Sequence, residues 1–178
     1  SEAPKPRPAS RGCGVAALGD PPAMPCNHIM LDLETLSLRK DAAIIQIAAL
    51  AFDPETGELG KSFNAFVRDP SGHIDVQTVA WWMQQKAAAT IGADVAGEEA
   101  ISENDACRAF REWMLAHTDA CPDLPNGGAE YAIWSHGATF DIVVLENACA
   151  RIGISKPWSY RVERDTRTDQ IRQQGEVA

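Results

Sequence analysis

"IMLDLETLS", residues 29–37, is an apolar run that carries two carboxylates, Asp32 and Glu34. Its length and composition read as a β-strand. In a strand, residues i and i+2 point to the same face, so the two carboxylates stand side by side while Leu33 points away. Two like charges this close raise each other's pKa unless something cationic lies between them. A divalent ion fills that place, and oxygen-only ligation favours Mg²⁺ or Mn²⁺ over Zn²⁺. A strand with one solvated face would alternate in the same way. Against that reading, Met30 shares the acids' face, while Ile29, Leu31 and Leu33 lie on the other. A strand this apolar is expected to be covered on both sides.

The neighbouring segments extend the pattern. Residues 43–52, "AIIQIAALAF", read as a second strand. Residues 53–59 are a turn by composition, and 61–68, "KSFNAFVR", alternate as a third strand. Three strands joined by short turns imply an antiparallel meander. The period then becomes helical. Residues 75–91 have Asp75 as N-cap and apolar residues at Val79, Trp82 and Met83. Residues 102–117 open on Ser102 with Asp105 three later, and Ala106, Phe110, Trp113 and Met114 form one face. A loop (121–130), a short strand (131–135) and a helix (140–154) that stops at Gly153 follow. The order β-β-β-α-α-β-α predicts an α/β domain with a mixed sheet and helices packed on it.

Composition bounds the class. Of 178 residues, 45% are hydrophobic and 23% charged, and no apolar run approaches the length of a membrane span. Residues 1–27 are rich in Pro, Ala and Gly and read as a disordered tail, which leaves 28–178 as the domain. The five cysteines form no Cys-x-x-Cys pair, which argues for reduced thiols in a cytoplasmic protein rather than a zinc site or disulfide framework. Net charge is −9, and residues 28–150 alone carry 7 basic and 19 acidic side chains. So acidic a body binds nucleic acid poorly without help, but bound divalent cations would invert the local charge.

Asp141 lies far along the chain in "WSHGATFDIVVLENA", where it opens a helix. Alone it would be read as a first-turn acid stabilised by the helix dipole. Taken together, "DLET" on a first strand and "HGATFD" before a helix resemble the first two motifs of the DEDD 3′–5′ exonucleases, of the DEDDh type, on the RNase H-like fold. The likeness runs from about His28 to Thr168. The segments carrying Thr78, Trp81 and Trp82, and "RDTRT" at 164–168, place it closest to the bacterial and phage branch with the mycobacterial-type exoribonucleases.

The resemblance implies an RNase H-like mixed sheet and a two-metal exonuclease that releases 5′-mononucleotides. It implies that Asp32, Glu34 and Asp141 are catalytic residues holding two Mg²⁺ or Mn²⁺ ions. Thr35 and Leu36 would meet the terminal nucleotide, Leu36 packing on its base while backbone groups fix the 3′-hydroxyl. His136 matches a His of the family's pattern, although Gly137 stands where that pattern has Asn. Trp82 is a candidate for base stacking and Asp165 for a substrate-adjacent role; the plainer readings are helix core and an Asp–Arg structural pair. The implied partner is single-stranded or 3′-overhang RNA or DNA, in a bacterial or phage-encoded protein of a fold that often forms homodimers.

One part of the pattern is missing. The family has a fourth carboxylate paired with a general base, in a His-x-Ala-x-x-Asp or Tyr-x-x-x-Asp string. His28, His73, His117, Tyr131 and Tyr160 fail their spacings. His136–Asp141 does fit His-x-Ala-x-x-Asp as a string, but no Phe-Asp pair opening a helix lies between residues 35 and 135 to serve as second motif, so Asp141 is kept as the second motif. The expectation is a chain that stops before its third motif. A catalytically impaired fragment, or a non-catalytic binding module of the same fold, is the alternative function.

Overall fold

The computed structural model describes residues 28–117 and 131–168. The tail at 1–27, the loop at 121–130, Cys13, Cys26 and Cys121 lie outside the described residues.

The quoted stretch forms β1 (His28–Thr35), followed by β2 (Ile44–Phe52) and β3 (Leu59–Asp69). They are the antiparallel meander that their turns imply, with Asp32 opposite Ala48 and Ala48 opposite Asn64. Gly57, at φ +74°, turns the chain between β2 and β3, a backbone conformation that favours glycine. Three short strands complete the sheet: β4 (Ile101–Ser102), β5 (Ile133–Ser135) and β6 (Glu163–Asp165). The order is β4-β3-β2-β1-β5-β6, and β4, β5 and β6 each pair in parallel. The α/β mixed sheet expected from the sequence is present. β4 and β6 are only two and three residues long, too short for periodicity to announce them.

Among the described residues the α-helices are α1 (Val76–Trp82), α2 (Ala88–Ala96), α3 (Glu103–His117) and α4 (Asp141–Arg151). The single helix expected over 75–91 is two. Asp75 caps its start by accepting the Gln77 N–H at 3.0 Å. The ladder then tightens to i→i+3 bonds from Gln84 to Trp81 and from Gln85 to Trp82. The Gln84 and Gln85 side chains also take the carbonyls of Ala80 and Trp81. α1 buries no residue fully, so little packing energy opposes the break. For α3, Ser102 accepts the Asp105 N–H at 3.1 Å, the capping arrangement its sequence predicts.

The core lies on one side of the sheet. Ile29, Leu31 and Leu33 of β1 meet Phe110 and Met114 of α3 and Ile142 and Leu145 of α4. Each such burial contributes about 1.5–3 kcal/mol. Among the described residues the other face of β1 stays open: Met30 is half-buried and Asp32 exposed. This corrects the expectation of a strand covered on both sides. α3 and α4 both turn their apolar stripes to the same core. The far face instead buries its apolar groups locally, where Trp134 packs against His28 and Phe52 with ring centroids 6.0 and 6.3 Å apart. Among the described residues no helix is long and apolar enough to cross a membrane.

Candidate functional site

The sheet brings the two acids of β1 to one open face. Their register is regular up to Glu34 and shifts between Glu34 and Thr35, where β2 carries one extra residue, Ile45, and bulges against the end of β1. A bulge bends its strand and re-aims the side chains beside it. β5 lies parallel beside β1 and delivers the chain to a turn at 136–140. That turn closes through Phe140 N–H to the Gly137 carbonyl at 2.7 Å and launches α4 with Asp141 as its first residue.

Asp141 is 6% exposed. Its carboxyl is pushed up to about 6, first by burial and then by the charge of Asp32. Glu34 is raised by burial and again by Asp32. Asp32 is itself raised by partial dehydration, although its tip reaches solvent, and His136 opposes that rise. The charge of Asp32 therefore reaches both its strand neighbour Glu34 and the helix-borne Asp141. Among the described residues none of them forms an ion pair. Ser135, fully buried beside Asp141, draws that carboxyl down somewhat, although its hydroxyl meets no partner at hydrogen-bond geometry.

This donor set is chemically suited to hard divalent cations, being all oxygen and mutually repelling without a counter-charge. Among the described residues no three acidic, His or Cys side chains gather tightly enough to cage an ion unaided. Mg²⁺ commonly binds through one or two carboxylates plus waters and substrate phosphates, so an open set of this kind fits it.

The strand end is held by several bonds. Thr35 is buried and its hydroxyl donates to the Ser37 carbonyl at 2.8 Å. Trp82 donates its indole N–H to the Thr35 carbonyl. The half-buried Leu36 gives its N–H to the Ala43 carbonyl and takes the Asp75 N–H, at 2.9 and 2.8 Å. The Thr35 carbonyl and both backbone groups of Leu36 are thus engaged within the protein, and the Leu36 side chain is what remains for a ligand. Beside Glu34 and Thr35 opens a pocket of about 380 Å³ between β1 and α1, lined also by Leu38, Thr78, Trp81 and Trp82. Trp81 is 55% exposed and meets Trp82 edge to face at 5.3 Å. The sequence singled out Trp82; the structure gives Trp81 the more accessible ring. Helical phase could have separated the two, because adjacent residues point about 100° apart.

His136 is exposed and its Nδ1 lies 3.0 Å from the Thr166 hydroxyl. Asp165 accepts the N–H of Ala138 at 3.1 Å and that of Arg167 at 2.9 Å, so its carboxylate ties β6 to the turn before α4. Both oxygens serve backbone donors, which is closer to its structural reading than to a substrate contact.

A meander whose first strand presents acids toward a helix-borne Asp is the frame of the RNase H-like exonucleases. The chain belongs to the 3′–5′ exoribonuclease Rv2179c-like domain family, whose family model matches residues 27–176. It is 27% identical over 128 residues to an exodeoxyribonuclease of Enterobacteria phage T4, a stretch covering 65% of this chain and 52% of the phage protein. The chain therefore spans about half the length of that relative. Among solved structures, E. coli exonuclease I in complex with a dA16 oligonucleotide matches with a TM-score of 0.55 at 16% identity, over 78% of this chain and 27% of that one. The same enzyme with a 5cy-dA13 oligonucleotide matches at 0.54 and 16%, over 78% and 28%. At that identity the likeness concerns the fold.

Proposed function

We propose that this chain is a 3′–5′ exonuclease that removes 5′-mononucleotides from single-stranded or 3′-overhanging RNA or DNA. The observation that carries the reading is the trio Asp32, Glu34 and Asp141. All three are raised first by burial, and Asp32 adds to the rise of both Glu34 and Asp141. None forms an ion pair among the described residues, and Glu34 lines an aromatic pocket. Family membership supports the same reading. The three carboxylates are the groups that would hold two Mg²⁺ or Mn²⁺ ions. When bound, such ions supply Lewis-acid activation of water and stabilisation of the leaving oxygen. The chain's own part is positioning. Leu36 packs on the terminal base, the pocket beside Glu34 receives it, and His136 flanks the phosphate near Asp32.

A second reading, a binding module without turnover, draws on one observation. Among the described residues no three acidic, His or Cys side chains, this trio included, gather closely enough to cage a metal unaided. One experiment separates the two. Oligonucleotides of RNA and DNA, labelled at the 5′ end, are incubated with Mg²⁺, Mn²⁺ or EDTA. Metal-dependent shortening from the 3′ end, lost in Asp32→Ala, is the expected outcome. Binding with intact substrate under every condition would favour the module and overturn the exonuclease. The preferred sugar follows from the RNA and DNA arms.

A further inference from the structure

The segment "RDTRT" at 164–168 holds a cation that the reading above does not use. Asp165 fixes the turn before α4 and, by accepting the Arg167 N–H, also fixes the backbone of Arg167. The contact between His136 and Thr166 adds a second tie between the same two segments. This clamp lays the Arg167 guanidinium against Gly137. A Cβ at Gly137 would stand 3.3–3.4 Å from its Nη1, Cζ and Nη2. Gly137 also has φ +114°, which side-chain-bearing residues rarely adopt. The departure from Asn noted in the sequence therefore has a local reason: the glycine leaves room for a guanidinium.

Arg167 is exposed, and among the described residues its guanidinium makes no hydrogen bond or ion pair. Its charge nevertheless reaches Asp141 and lowers that carboxyl. A cation meant only to neutralise the acids would sit in an ion pair with one of them. This one stands off, its planar fork of donors without a partner among the described residues, against Gly137 in the turn that launches Asp141. Its charge reaches Asp165 as well as Asp141. A guanidinium fork matches the oxygens of a phosphate, and charge-assisted bonds of this kind are strong.

We propose that Arg167 is a phosphate-binding residue, seated on Gly137, that grips a non-bridging oxygen of the phosphate brought to Asp32, Glu34 and Asp141. The proposal rests on the nuclease reading for its substrate, but binding alone tests it. 5′-AMP and adenosine are titrated by calorimetry into the wild-type chain, Arg167→Ala and Arg167→Lys, with Mg²⁺ and with EDTA. Arg167→Ala is expected to weaken AMP by about 10- to 100-fold, the scale of a hydrogen bond to a charged group. Adenosine should stay within about twofold, Arg167→Lys should recover part of the loss, and the thermal midpoint should hold. AMP affinity that is unchanged in Arg167→Ala, or that falls together with that of adenosine, overturns it, as does a wild-type chain that binds no AMP. AMP binding that depends on Arg167 without any oligonucleotide shortening would sink the nuclease reading and leave the phosphate site. Shortening with an unaltered KM in Arg167→Ala would do the reverse.

Discussion

The Trp82 indole N–H donates to the Thr35 carbonyl across 2.9 Å, joining residues 47 apart in sequence. This bond fastens α1 to the end of the acid-bearing strand. Because α1 buries no residue fully, it has few other anchors. Trp82→Phe keeps an aromatic ring and removes the donor. The expected loss is about 1 kcal/mol of stability, the usual net value of one hydrogen bond, with a fall of about 2–4 °C in thermal midpoint. Calorimetric melting of the two proteins checks it, and an unchanged midpoint would show that the bond contributes nothing.

Trp81 should behave differently, because its ring is mostly exposed in the pocket beside Glu34. Stacking of a base on an aromatic side chain is worth about 1–3 kcal/mol. Trp81→Ala is therefore expected to raise KM for oligonucleotides by about 5- to 100-fold at nearly constant kcat. An oligonucleotide ending in an abasic residue should not distinguish variant from wild type. A variant that lowers kcat on both substrates alike would speak against stacking.

Much of the fold was legible from period alone. β1 to β3, α3 and α4 carry clear alternation or helical stripes, and Asp75 and Ser102 announce their caps with their own side chains. What stayed hidden has physical causes. β4 and β6 are too short for a period. The break after Trp82 arises from local glutamine–carbonyl bonds in a helix with no buried face to hold it straight. The open face of β1 could not be read because apolar Met30 on the acids' side suggests cover, whereas the structure leaves Met30 only half-buried and Asp32 exposed. In the site, the spacing of Asp32 and Glu34 defined their shared face, but the approach of Asp141 required the resemblance. The seating of Arg167 on Gly137 depends on a turn conformation that no spacing encodes.

Glu103 is a buried acid outside the site. Only 4% exposed, it pairs with Arg151 of α4 and accepts from the hydroxyl and the N–H of Ser71 after β3. It thus ties two helices to a loop. Removing one member of a buried pair leaves its partners uncompensated, at a cost of about 3–5 kcal/mol. Glu103→Ala is expected to lose about that much in denaturant unfolding. Adding Arg151→Ala should recover part of the loss. If Glu103→Ala proves neutral, the pair is dispensable.

Gly137 and Arg167 should be coupled. Gly137→Ala sets a Cβ against the guanidinium and forces φ +114° on an L side chain. Backbone strain of this sort costs about 1–3 kcal/mol. In an Arg167→Ala background only the backbone part remains, so the double variant should be more stable than the two single effects added together. Strict additivity in a double-mutant cycle would mean that the contact is unimportant.

Asp141 makes stability depend on pH. Its carboxyl ionises near 3.8 when unperturbed and near about 6 in the folded chain. Between those values the folded state keeps a proton that the unfolded chain has released. Stability therefore falls as pH rises from about 4 to about 6 and then levels off, by up to about 3 kcal/mol for a separation of two units. Asp141→Asn carries no such charge. In EDTA it is expected to match the wild type below pH 4 and to exceed it in thermal midpoint at pH 7.5. Mg²⁺ favours the ionised carboxylate, so adding it at pH 7.5 should raise the wild-type midpoint more than that of the variant and narrow the gap. Below about pH 6 the proton competes and that gain should fade. Thermal melts across pH with Mg²⁺ and with EDTA measure all of this. An Asn variant less stable than the wild type in EDTA at pH 7.5 would mean that Asp141 is held by a favourable contact rather than strained by burial beside Asp32.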